Sequence, residues 1–132
     1  MAYRKQVAAI CIRITQSLRP NSAPQTIRAA VEELREVAKA NAAEAREISR
    51  LDAPPMLAVT ARRGIAALNR AAGDFRRVAA RLAIVPNQRR PLRRQENMLI
   101  DRYGFAVFQA QGYFRAIGID NCGELAPAGS TT

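Results

Sequence analysis

The sequence predicts an all-α protein, an antiparallel up-down-up-down four-helix bundle. Three observations predict it. Alanine is abundant and β-branched runs are rare, which favours helix. Apolar residues recur at three- and four-residue spacing over four segments. The breaks between them, "RPNSAP", "LDAPP" and "VPNQRRP", carry prolines that cannot continue a helix. With 132 residues, 48% hydrophobic and 24% charged, the chain has the size and composition of one globular domain around one core.

The first helix is expected at about 3–18, with Val7, Ile10/Cys11, Ile14 and Leu18 on one stripe. The second spans about 24–51, opened by Ser22-Ala23-Pro24, with Ile27, Val31, Leu34, Ala38, Asn41, Ala45 and Ile48 facing inward. The third covers about 54–85, with Asp52 available as its cap. Its stripe is Ala61, Ile65, Leu68, Ala72, Phe75, Ala79 and Leu82. The fourth runs over about 92–117, through Leu99, Tyr103, Ala106, Ala110, Tyr113, Phe114 and Ile117. Gly118 then stands where a left-handed C′ residue belongs, with Ile119 folding back on the last turn. The single domain is 1–125, and 126–132 is a flexible tail. At 1.5 Å per residue the first helix is roughly 24 Å long and the second roughly 40 Å. The bundle therefore thins to three helices at one end, where a groove is expected.

Cys11 and Cys122 are the only cysteines. In this topology the start of the first helix and the end of the fourth lie together, which makes the two residues neighbours. A bridge would close a loop of about 110 residues and contribute on the order of 4–5 kcal/mol in the chain-entropy treatment. It would also tie down the segment after the last helix. Two reduced, buried thiols in a cytosolic protein are the alternative. The chain has no histidine, so two cysteines cannot complete a usual zinc site, and a Cys–His nucleophile is excluded. No metal or cofactor is expected. The bridge is the preferred reading, and it implies an oxidising compartment.

Tyr3 ahead of Ile10-Cys11, the Leu51-Asp52-Ala53-Pro54-Pro55 break, and Ile117-Gly118-Ile119 followed by Cys122 form a set that spans the chain. It resembles a pattern in small exported helical domains of GC-rich, actinobacterial-type genomes. The resemblance implies a domain held outside a membrane anchor or behind a lipoprotein signal. It assigns no catalytic residue. The opening "MAYRKQVAAICIRI" is not a signal peptide, because Arg13 interrupts its apolar stretch. Ile10 before Cys11 makes a poor lipobox. An exported parent would carry its leader or anchor elsewhere, and the loose "APAGSTT" end fits an excised domain. No apolar run approaches the roughly 20 residues that span a bilayer.

The net charge is +10. Arginine outnumbers lysine 19 to 2, which fits GC-rich coding bias as well as an anionic ligand. The charge is uneven. Residues 53–94 hold ten arginines and one acid, Asp74, whereas 25–52 nets −1. At 100° per residue Arg63, Arg70, Arg77 and Arg81 project within about 40° of one another, opposite the core stripe. Arg89, Arg90, Arg93 and Arg94 extend the patch. Such a row suits lipid headgroups, an acidic polymer or a phosphate backbone. A merely solvated face is the plainer reading. No aromatic is interleaved with the arginines, and no phosphate loop or nucleic-acid motif is present, so nucleic acid is the less favoured ligand.

Phe108 projects away from the core stripe of the fourth helix, with Phe105 beside it and Gly104 and Gly112 on its flanks. Glycine in a helix costs roughly 1 kcal/mol relative to alanine. Two of them suggest close approach by another backbone, such as a partner subunit; the plainer and preferred reading is that the chain's own 119–125 segment covers Phe108 or that the fourth helix is central. Asn41 and Asn69, on and beside inner stripes, would set register or hold a water, or contact a ligand. The acids of the second helix (Glu32, Glu33, Glu36, Glu44 and Glu47) sit mostly off its apolar stripe, as solvated pairs do. No Ser, Lys or Cys has an evident base, so no enzyme is expected. The sequence reads as an extracytoplasmic, non-catalytic interaction or sensing module that contacts a protein partner or an anionic surface. A cytoplasmic or phage-encoded nucleic-acid binder is the alternative.

Overall fold

Five α-helices, not four, and no strand occupy the residues described by the computed structural model, 2–18, 26–84 and 92–124. They are α1 (Ala2–Ser17), α2 (Ile27–Ser49), α3 (Pro55–Ala83), α4 (Leu92–Tyr103) and α5 (Phe105–Ala116). The Pro24 start, the whole "VPNQRRP" break with Arg89 and Arg90, and the 126–132 tail lie outside the described residues.

The extra helix comes from Gly104, which splits the expected fourth helix. Its φ of −98° and ψ of 27° leave the helical path. Its N–H still bonds the Ile100 carbonyl at 2.6 Å, and an added Cβ would stand 2.7 Å from that oxygen. The break orphans the first N–H groups of α5. Asp74, from the middle of α3, supplies one acceptor: its Oδ2 takes the Ala106 N–H at 3.2 Å. The phase of the stripe shifts across the break. Ile100 and Val107 are buried, whereas Leu99, Tyr103 and Tyr113 are half-buried.

Two further boundaries differ from expectation. The first residue of α2 is Ile27, capped by Thr26, whose hydroxyl accepts the Ala29 N–H at 3.1 Å. Asp52 does not cap α3. Pro54 holds that position with no side-chain bond, and Pro55 at N1 needs no acceptor. At the other end Gly118 behaves as its position suggests. With φ at +86° it lets the Ile119 N–H reach the Phe114 carbonyl (2.9 Å) and its own N–H reach Arg115 (3.0 Å), and Ile119 is buried.

α3 touches α2, α4 and α5, and the core forms two clusters along it. One joins Tyr3, Val7 and Cys11 of α1 to the C-terminal part of α2, the N-terminal part of α3, and Phe114 of α5. The other joins the N-terminal part of α2 to the C-terminal part of α3, with Ile100 and Val107. α1 contributes only to the first. Gly64 sets the α3–α5 approach: a Cβ there would meet the Phe114 ring at 2.7 Å. In the half without α1, a cavity of about 370 Å³ lies between α2 and α3, lined by Arg35, Lys39 and Arg76.

Candidate functional site

Arg63, Arg70 and Arg77 are exposed along the outer ridge of α3, and none is ion-paired among the described residues. The one acid of residues 53–94, Asp74, is half-buried beside this ridge, and its carboxylate accepts the Ala106 N–H at the start of α5. Arg70 reaches Gln109 of α5 (Nη2 to Oε1, 3.5 Å), and Arg81 lies 5.1 Å from the Tyr103 ring centre. Arg94 is exposed on α4. Arg93 does not belong to the patch. It is largely buried and pairs with Glu33 (3.2 Å) and with Glu96, so its charge is spent inside the protein.

Phe105 is 66% and Phe108 44% exposed, so residues 117–124 do not cover them. Neither flanking glycine serves a close backbone contact with another element. Gly104 makes the helix break, and a Cβ on exposed Gly112 would meet nothing within 4 Å. On α5, Phe105 and Gln109 are one turn apart, so the Arg70–Gln109 contact joins the α3 arginine ridge to the α5 phenylalanine ridge. The two sequence-predicted surfaces are one.

The cysteines do meet. Their Sγ atoms are 2.02 Å apart and their Cα atoms 5.2 Å, at disulfide distance. Polar bonds hold the segment around Cys122. Asn121 donates to the Ala8 carbonyl at 3.1 Å, and the Gly123 N–H to Glu44 Oε1 at 3.0 Å. Asn41, fully buried, pairs with the backbone of Glu124 in both directions, its Oδ1 accepting at 2.9 Å and its Nδ2 donating at 2.8 Å. Asn41 therefore reads its own chain, not a ligand. Asn69 is exposed and lines an open cavity of about 570 Å³ beside Tyr3, Leu51 and Ala61.

Glu44 is the main surprise of α2. It is fully buried, not solvated. Loss of water pushes its carboxyl up to about 8; the Gly123 N–H works against the shift and neighbouring Glu124 adds to it. Burial also raises the Glu124 carboxyl, which accepts from the Thr15 hydroxyl. Glu44 Oε2 has no other partner, so a proton held there toward Glu124 satisfies both acids. Glu96 repeats the pattern. Burial raises it to about 7 against the pull of Arg93. Helical phase carried the signal for both, since Glu44 and Glu96 project about 40° from Ile48 and Ile100. Glu32 and Glu36 make the exposed pairs expected of them, with Arg35 and Lys39.

Compared with protein-family models, curated proteins and solved structures, the chain matches none. Among the described residues no helix is long and apolar enough to cross a membrane.

Proposed function

We propose that the chain is a non-catalytic interaction or sensing module working outside the cytoplasm, built on an up-down bundle whose ends are stapled by Cys11–Cys122. One observation carries the reading: Arg63, Arg70 and Arg77, exposed and without an ion pair among the described residues, adjoin exposed Phe105 and Phe108 through the Arg70–Gln109 contact. A face with cations and large apolar side chains side by side is costly to leave in water and suits a partner with both chemistries. The staple supports the compartment, because such bonds persist where thiols are oxidised. The resemblance to exported helical domains of GC-rich genomes points the same way.

The test combines two readings. Protein from its native host, alkylated without reduction, is expected to take up no label at Cys11 or Cys122. Two labels would overturn the extracytoplasmic assignment. The wild type is expected to bind a polyanionic matrix in a salt-dependent way and to lose that binding with Arg63→Glu, Arg70→Glu and Arg77→Glu together. If sedimentation shows a dimer that Phe108→Glu dissociates, the partner is a second copy. The same three arginines favour a second reading, nucleic-acid binding, which predicts a gel shift of DNA or RNA that the triple variant abolishes.

A further inference from the structure

The α3–α5 face has a composition that discriminates among anionic partners. Val59 and Ile84 are 50% and 74% exposed. At 100° per residue they project within about 60° of Arg63, Arg70 and Arg77. From Val59 to the C-cap Ile84 one line of α3 thus reads apolar, four cations, apolar, Arg81 being the fourth, with Arg63, Arg70 and Arg77 about 10 Å apart. Phe105 and Phe108 continue the face on α5, and the one acid beside it, Asp74, accepts the Ala106 N–H next to Phe105 and leaves the cations in excess.

Resting on the interaction-module reading above, we propose that this face docks on an anionic lipid bilayer. α3 lies along the headgroup plane, its guanidinium groups on lipid phosphates, while Phe105 and Phe108 enter the interface. A phosphate backbone would use the cations and leave Val59 and Ile84 in water. A bilayer takes both, since guanidinium forks match phosphate oxygens and aromatic side chains settle at headgroup depth. The geometry also suits a plane better than a groove, because two neighbouring helices present their outer ridges together.

The experiment is co-sedimentation of the disulfide-intact protein with vesicles of phosphatidylcholine alone or of phosphatidylglycerol and phosphatidylcholine in equal parts. The protein is expected to pellet with the anionic vesicles only, and to be released by high salt. Each arginine at such a surface contributes about fivefold, so Arg63→Gln, Arg70→Gln and Arg77→Gln together lower the partition coefficient on the order of 100-fold. Phe105→Ser with Phe108→Ser lowers it at least about tenfold. The chain has no tryptophan, so Phe108→Trp gives a single reporter whose emission shifts to the blue with anionic vesicles. These side chains are exposed, and unchanged far-UV dichroism verifies that the variants fold. Absence of binding to anionic vesicles overturns the proposal, as does binding indifferent to both sets of substitutions. Arginine-dependent retention on polyphosphate, or a nucleic-acid shift, without vesicle binding overturns the lipid assignment and leaves the module reading standing. Failure of every arm overturns both.

Discussion

Replacing Glu44 by glutamine should make the protein more stable at alkaline pH, although a charged residue is being lost. The folded carboxyl titrates near 8 against an ordinary value of 4.5. A carboxyl raised on folding binds its proton more tightly in the native state. Its stabilisation is therefore complete below the unfolded value and is lost as pH climbs through the folded one. Between pH 5 and pH 8 the unfolded chain is ionised while the native carboxyl largely keeps its proton, which costs the wild type on the order of 3 kcal/mol over the interval. Glutamine keeps the acceptor for the Gly123 N–H and offers an amide donor to Glu124, with nothing to titrate. Urea unfolding of both proteins at pH 5, 6.5 and 8 is the assay. Near-equal stability is expected at pH 5, and a lead for Glu44→Gln of order 3 kcal/mol at pH 8. Glu96 also titrates high, near 7, but it is common to both proteins and cancels in the difference. Parallel pH profiles, or a less stable variant at pH 8, would refute the argument that buried Glu44 keeps its proton.

Reducing Cys11–Cys122, or replacing both by serine, should cost about 5 kcal/mol for a cross-link of this span, read as a lower denaturation midpoint. Gly64→Ala should cost about 1–3 kcal/mol, because the new methyl must displace the Phe114 ring; an unchanged melting temperature would show that the α3–α5 contact yields freely. Asp74→Ala should cost about 1 kcal/mol and speed amide exchange at the start of α5, with α1 unaffected.

The parts of this fold legible in sequence were those governed by local rules. Proline placement bounded α1 and α3 to within two residues, and Gly118 closed α5 as its position suggests. Cys11 and Cys122 stand at disulfide distance, as the inner phase of Cys11 and an expected up-down helix order suggest. What escaped depends on distant partners. Nothing near Gly104 distinguishes it from a tolerated helical glycine; the break is completed by Asp74, thirty residues earlier. Glu44 looked like one more acid on a mixed-charge helix, and its burial required knowing that residues 121–124 return over α2. Arg93 read as one more surface cation until Glu33 and Glu96 met it. The arginine and phenylalanine surfaces were each legible, but their fusion was not, because it rests on the lateral contact between Arg70 and Gln109.

The Cys11–Cys122 bond also fixes how the molecule carries mechanical load. Tension applied at the two ends of the chain passes from Cys11 straight to Cys122, so α2, α3, α4 and α5 lie on a covalent loop outside the force path. Only the first turns of α1 and the residues after Cys122 can be drawn out. While the bond lasts, a pull that would unravel an unbridged bundle leaves the loop, and with it the arginine–phenylalanine face, unextended.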